Sequence, residues 1–473
     1  MINNKKTLLL TSVEHILFMI RNGGLPEGLE AIVLTPGGRR SISKILKQKG
    51  VRLDVPYWGV EDLTKIGGLL GLETFPEPPI LNAEPILNKC LPFFLLDRNT
   101  KWRIRSNFLN ANRMNVIIQN SNRLLVGLGI TRIISCSTPH ELLTYLFARV
   151  AEELKIKTMI LDKTPLLHRY WALSSLDNVP PTALILQINS GVGISARTQE
   201  FVGKLRSNIS ADSEIGLKAQ KSIYGRSSMS LMGELRRDGL SLFRYPWRVV
   251  SIINKLRLFR LYSELTKPLP PGKVKIISFF LHYQPERTTL PEGRIFVMQQ
   301  LAIQILSDAI PNDWRICVRE HPSTWLRRLP LTCRDSYFYR SIAAIPKVQF
   351  ISNEIPTNEL VDRSSIVSTI TGKVGFQALA RGRIAIVFGT AGYRDHPGCV
   401  YASTHEDVRR AVILADETIS SGAIGNVEMN NYLSAVESVS IEESSLKIPH
   451  TAYEIRLASM QSLINIILSH SEF

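Results

Sequence analysis

Between Val274 and Tyr401 the chain repeats one pattern: a short apolar run, an abrupt stop on polar residues, then a stretch with helical spacing. The run ending at Leu281 stops on His282, Tyr283 and Gln284. Arg315–Arg319 stops on Glu320, His321 and Pro322. Ile366–Thr369 leads into Thr371, Gly372 and Lys373, and Ile384–Phe388 into Gly389. Apolar runs this short, rich in Ile and Val, read as strands buried on both faces, with the interleaved stretches as crossover helices. That alternation restricts the chain to a mostly parallel sheet with helices on both sides. In such sheets ligands gather outside the carboxyl ends of the strands, which is where the polar residues fall.

The same alternation is present earlier. Residues 6–11 read as a first strand, Ser12 as the N-cap of a helix reaching Arg21, and Glu30–Thr35 as a second strand. A helix over 41–49 and a strand over Val51–Val55 follow. Pro and Asn blur the pattern from Pro76 to Asn110. It resumes at Ile117 and again at Arg132–Cys136, then as a helix through Glu153 and a strand over Lys157–Leu161. The expected fold class is α/β, with two Rossmann-like domains facing each other across a cleft. Residues 1–190 form the first domain, and 191–267 a helical, basic linker region. The run Pro268–Gly272 reads as a hinge. Residues 268–450 form the second domain, and 451–473 a C-terminal helix packing back across the hinge.

A chain of 473 residues exceeds what one hydrophobic core sustains, in line with two domains. No run approaches the length of a spanning helix. The apolar stretch at Thr7–Leu10 is too short for a signal peptide, so a cytoplasmic location is expected. The five cysteines are scattered, without the spacing of a zinc site or disulfide framework. No Asp-x-Asp or clustered His and carboxylate spacing suggests a metal, and no cofactor is expected.

Lysines and arginines outnumber acidic residues 57 to 41, a net charge of +16 that favours anionic partners. The densest basic zone, Arg236 to Arg260, alternates with Phe243, Tyr245, Trp247, Leu256 and Phe259. It reads either as a solvated helix face or as a surface for anionic lipid head groups at the inner membrane face. No nucleic-acid-binding motif accompanies it, so nucleic acid is not an expected partner.

Two rim segments carry the chemistry. Thr371–Phe376 (TGKVGF) lies between strand and helix, where glycines admit a ligand to the backbone and a helix N-terminus favours negative charge. It is neither a Walker A motif nor a full dinucleotide fingerprint, and an ordinary tight turn gives the same pattern. At Glu320-His321-Pro322 the proline ends the strand, and the histidine can donate to a phosphate or act as acid or base. A structural role would place a histidine there equally well. Three polar clusters at one rim are harder to attribute to packing alone.

The order of Tyr283–Glu286, Val318–Pro322, Ile345–Ile351, Glu359–Ser364 and Ser368–Arg383, with Val387–Gly389 and Tyr393, resembles the capsule polysaccharide biosynthesis family. These are bacterial surface-carbohydrate proteins that include Kdo transferases of the GT-B type. The resemblance covers about residues 274–401 and extends weakly to Ser137–His140. It implies a nucleotide-sugar donor, with CMP-linked sugars such as CMP-Kdo the first guess, and a glycan or glycolipid acceptor. On that model His321, Ser368, Thr369, Thr371, Gly372 and Lys373 contact the donor phosphates, while Glu286 and Glu320 orient the ribose or nearby backbone. The family pattern has Glu where this chain has Gln377, and an amide cannot act as a base. The acceptor base of such enzymes comes from the first domain, where Glu14, His15, His140 and Glu141 are candidates at predicted strand ends. Two other enzyme readings share this rim: transfer from a CDP-linked alcohol and epimerisation of a UDP-sugar. A catalytically impaired, nucleotide- or glycan-binding scaffold is the non-enzyme alternative.

Overall fold

The computed structural model describes residues 6–12, 16–17, 19–20, 25, 29–35, 39–65, 78–90, 107–166, 169–177, 194–207, 247–284, 288–326, 333–421 and 426–442. The chain divides into two compact units, Met1–Pro181 with Val436–Phe473, and Thr182–Ala435. Each is built on one sheet, and both sheets are dominated by parallel strands.

The first unit's strands are β1 (Thr7–Ser12), β2 (Leu29–Thr35), β3 (Tyr57–Gly59), β4 (Arg132–Ser135), β5 (Lys157–Lys163), β6 (Arg169–Leu173) and β13 (Ile441–Glu442). Their order is β13-β6-β5-β4-β1-β2-β3, with β6 and β13 antiparallel to their neighbours. Leu8 and Leu9 of β1 are fully buried, as expected of a strand covered on both faces. Two expectations fail here. The third strand forms at Tyr57–Gly59, past Pro56, and not at Val51–Val55. Val51, Leu53 and Val55 still pack on the core, but Pro56 supplies the carbonyl that receives Ile32 N–H at the ladder's start. Ile117 lies inside a helix, α1 (Asn107–Gly127), and does not restart the strand pattern. Ile117, Ile118, Ser121, Leu124 and Leu125 are buried, a helical spacing that the intervening asparagines obscured. Helix α2 (Leu142–Glu153) then connects β4 to β5.

The second unit's sheet runs β12-β11-β10-β7-β8-β9 and is parallel throughout. Its strands are β7 (Ile276–Phe280), β8 (Arg315–Arg319), β9 (Val348–Phe350), β10 (Ile366–Thr369), β11 (Ile384–Val387) and β12 (Cys399–Tyr401). Residues Phe279, Ile316, Val318, Ile366 and Ile386 face one core with helices α3 (Trp247–Leu265), α4 (Gln299–Ala309), α5 (Ser336–Ala343) and α8 (His405–Ser421). Cys317 and Val367 face the other side, against α6 (Thr357–Arg363) and α7 (Lys373–Ala380). Full burial of each such aliphatic or aromatic side chain contributes about 1.5–3 kcal/mol. A core of this kind can support polar groups at its edge that do not themselves stabilise the fold.

Two helices are described within the segment 191–267. Ala196–Arg206 is a helix capped by Ser195 Oγ, and Phe201 stacks on Phe376. Within α3, Lys255 is buried and donates to Leu326 O, so it leaves the basic surface expected of this zone, while Arg257 and Arg260 remain exposed. The Pro268–Gly272 run is tied to the second sheet through Gln349 Nε2 to Pro268 O and Lys267 N–H to Phe350 O. Residues 208–246 and the expected C-terminal helix over 451–473 lie outside the described residues. No described helix is long and apolar enough to cross a membrane.

Candidate functional site

In the second sheet the chain runs outward from β7 through β8 to β9, then returns to the other side of β7 as β10. The crevice between the carboxyl ends of β7 and β10 is therefore the topological switch point, the place where open α/β sheets bind ligands. His282 stands there, two residues past β7 and buried. Its Nε2 lies 3.0 Å from Thr369 Oγ1 and accepts from Thr371 N–H at 3.4 Å, while Nδ1 lies 3.2 Å from Thr288 Oγ1. An Nε2 that accepts leaves Nδ1 as the donor nitrogen, so the ring's tautomer follows from the loop around it. Thr369 Oγ1 also accepts from Gly372 N–H at 3.3 Å, and Thr371 Oγ1 donates to Thr288 O.

These bonds shape the turn that opens α7. A Cβ on Gly372 would stand 2.7 Å from Thr369 Oγ1 and 3.3 Å from the His282 ring, so the turn closes only around a glycine. A Cβ on Gly375 would run into the Tyr393 ring, whose hydroxyl donates to Gly372 O. Helix α7 begins with an exposed lysine, Lys373, and no acidic residue in its first turn. Backbone N–H groups at such a start favour an anion.

At the end of β8, His321 Nδ1 accepts from Ser323 N–H at 3.1 Å and caps the turn Pro322–Trp325. This fixes the ring proton on Nε2, which makes that edge of the ring a donor. Tyr283 packs beside it, with ring centroids 5.1 Å apart. Glu320 next to it is fully buried and committed to the protein. Its carboxylate accepts from Arg334 Nε (2.7 Å), Tyr339 OH (2.8 Å), His321 N–H (2.8 Å) and Thr324 Oγ1 (3.1 Å). Burial pushes this carboxyl upward, but the Arg334 charge and these hydrogen bonds outweigh it and hold the group below the usual carboxylate range. Arg334 also donates to His282 O at 2.6 Å and Gln284 Oε1 at 3.1 Å, and Gln299 braces both His282 main-chain groups. One buried network thus fixes the ends of β7 and β8 and the two histidines they carry.

The predicted donor residues are distributed as follows. His321, Thr369, Thr371, Gly372 and Lys373 share the carboxyl edge of the second sheet. Glu320 reaches that edge indirectly, through the backbone N–H of His321 and through Arg334, which donates to His282 O. Ser368 is within β10, fully buried, and its hydroxyl has no partner among the described residues. Gln377 is buried one turn into α7 and donates from Nε2 to Asn358 Oδ1. In the first unit His140 donates from Nδ1 to Thr138 O (2.9 Å), because a carbonyl only accepts, which puts the ring's lone pair on Nε2. Glu141 is the N-cap residue of α2 without a side-chain cap bond. Glu14, His15 and Glu286 lie outside the described residues. Sequence reasoning missed His282 as a site residue, along with Thr288, Gln299 and Arg334. Of these only His282 carried a signal, its position at a strand end. Among the described residues no three His, Cys, Asp or Glu side chains group as metal ligands would.

Residues 298–433 match the model of the family described as capsule polysaccharide biosynthesis protein. The match lies wholly in the second unit and bears out the resemblance read from its motifs. No curated protein matches the chain. Similar solved structures include a beta Kdo 2,7 transferase, KpsC of Thermosulfurimonas dismutans, at 12% identity over 73% of this chain and 89% of that one, TM-score 0.32. A UDP-GlcNAc 2-epimerase from Neisseria meningitidis, bound to UDP-GlcNAc, is 11% identical over 98% and 99%, TM-score 0.28. A glycosyltransferase from Rickettsia africae is 12% identical over 99% and 100%, also with TM-score 0.28. Likeness at these scores carries neither activity nor substrate to this chain.

Proposed function

We propose that this chain, whose second unit carries the capsule polysaccharide biosynthesis match, is a metal-independent glycosyltransferase of surface-polysaccharide synthesis using a nucleotide-activated sugar. The observation that carries the reading is the β7–β10 crevice: a glycine-gated helix start without acidic residues, beside two histidines whose tautomers are set by the fold. Donors preorganised in this way stabilise the charge that grows on a departing nucleotide phosphate without reorganising. His321, with its proton on Nε2, and the amides of Lys373 and Val374 at the start of α7 take that part; Gly372, Thr371 and Thr369 shape the turn. The donor proposed first is a CMP-linked sugar such as CMP-Kdo, and the acceptor a glycan or glycolipid. The acceptor hydroxyl needs a base, and Glu14, His140 and Glu141 are proposed for it, His140 having its lone pair on Nε2. Peripheral contact with an anionic inner membrane face is part of the proposal, supported by the +16 charge alone.

Gln377 favours a second reading, a binding module with impaired catalysis. Its amide already donates to Asn358 and cannot take up or release a proton as a carboxylate would. Release of free nucleotide from CMP-, CDP-, UDP- and GDP-sugars, followed for wild type, His321→Ala and Gln377→Glu, separates the two. The glycosyltransferase reading expects release from one donor class, reduced at least tenfold in His321→Ala. Turnover that appears only in Gln377→Glu would establish the impaired module, and none in any form would sink the enzyme reading.

A further inference from the structure

Arg319 is the last residue of β8. The strand register sets it in one row with Phe280 of β7 and Thr369 of β10, the last row before the loops. That row lies on the sheet face covered by α6 and α7, the same face as the His282–Thr369 contact. The side chain is only 6% exposed. Its guanidinium donates to Thr357 Oγ1 at 2.9 Å and Asn353 O at 3.2 Å and stands 5.9 Å from the Phe280 ring. All of these partners are neutral. Nε has no partner, and among the described residues no carboxylate pairs with the group. The adjacent Glu320 is already spent on Arg334.

A buried cation without a counter-ion costs folding free energy, and an apolar side chain of similar volume would serve the core better. Burial draws this guanidinium below its ordinary pKa, opposed in part by Tyr262. The position is nevertheless at the ligand edge: two residues before His321, and beside Thr357, whose neighbour Asn358 is held by Gln377. The uncompensated charge thus lies on the same sheet face, and in the same last strand row, as Thr369 and the turn that opens α7.

We propose that Arg319 is a ligand-binding residue whose charge is completed by a phosphate of the bound nucleotide. The inference rests on the donor-site reading above, and its test separates the two. Arg319→Met keeps the apolar stem and removes the charge, and Arg319→Lys keeps the charge and loses the planar fork. Thermal unfolding of both variants and wild type is followed alone and with CMP, CDP, UDP, GDP and inorganic pyrophosphate. The expected result is a ligand-free Met variant that melts at or above the wild-type temperature, yet binds nucleotide at least tenfold more weakly, with Lys in between. A ligand-free Met variant that melts several degrees lower but keeps its full ligand response would overturn the proposal and make Arg319 structural. If the Met variant does not fold, the Lys variant decides: weakened binding at unchanged ligand-free stability supports the proposal, and full affinity contradicts it. A wild type that responds to pyrophosphate but to no nucleotide, with the response lost in Met, would uphold Arg319 as an anion ligand and fail the nucleotide reading. A wild type unresponsive to every anion would end both.

Discussion

Two buried arginines, one in each unit, are built into similar sets of partners and do different things. In the first unit Arg149 bonds Tyr145 OH, Glu152 and Asp177 at the far end of α2. This group lines an open groove of about 650 Å³ near Lys157, at the amino edge of the sheet, and Asp177 is 45% exposed. In the second unit Arg334 bonds Glu320, and Glu320 bonds Tyr339, with both charges closed off from solvent at the carboxyl edge. The first set braces a helix end. The second ties two strand ends together and orients the histidines they carry. Residue types alone do not separate these roles; the edge of the sheet and access to water do.

The difference is testable by breaking the closed pair. Glu320→Ala leaves Arg334 buried without a counter-charge, and denaturant unfolding should show a loss of about 3–5 kcal/mol. The double variant Glu320→Leu, Arg334→Met should recover much of that stability while losing nucleotide response, because both strand ends are then packed but no longer positioned. A double variant that regains stability and binds nucleotide normally would reduce the network to packing.

Acidification sharpens the same comparison with a smaller effect. His396 of the second unit is buried; Nδ1 accepts from Gly398 N–H at 3.0 Å and Nε2 has no partner among the described residues. Burial lowers its pKa from 6.5 to about 3. The unfolded chain therefore takes up a proton that the folded chain refuses. Stability from this group is complete above pH 6.5 and falls as pH drops toward 3, by about 2 kcal/mol at pH 5. Asp177 in the first unit, lowered to about 2 chiefly by its hydrogen bond from Arg149, keeps its contribution down to about pH 4. Unfolding midpoints at pH 7 and pH 5 should differ in wild type and converge in His396→Gln. An unchanged difference in that variant would remove His396 from the account.

Much of the second unit was legible because its strands are short Ile- and Val-rich runs punctuated by Pro and Gly. The strands Arg315–Arg319 and Ile366–Thr369 fall where the sequence places them. Helix α1 was not legible, since asparagines break the apolar face that Ile117, Leu124 and Leu125 form. The antiparallel β6 and β13 were missed as well: their pairing joins residues about 270 positions apart, and neither carries a turn signal to announce it. At the site, strand-end position was enough to find His321 and the Thr371–Lys373 turn. It could not find the Arg334–Glu320 pair, because a lone arginine in Thr332–Phe338 looks like any surface residue until the fold encloses it. Nor could it show that Ser368, one residue before the rim, turns into the core.

The central claim is that the β7–β10 crevice holds the phosphates of a nucleotide-activated sugar. A crystal structure of the protein with the nucleotide that stabilises it most would test this directly. The expected result is density at the carboxyl ends of β7 and β10, with a phosphate on the amides of Lys373 and Val374 and within hydrogen-bond reach of His321 Nε2. Nucleotide bound in the groove beside Arg149, or anywhere that leaves the Gly372 turn untouched, would contradict it.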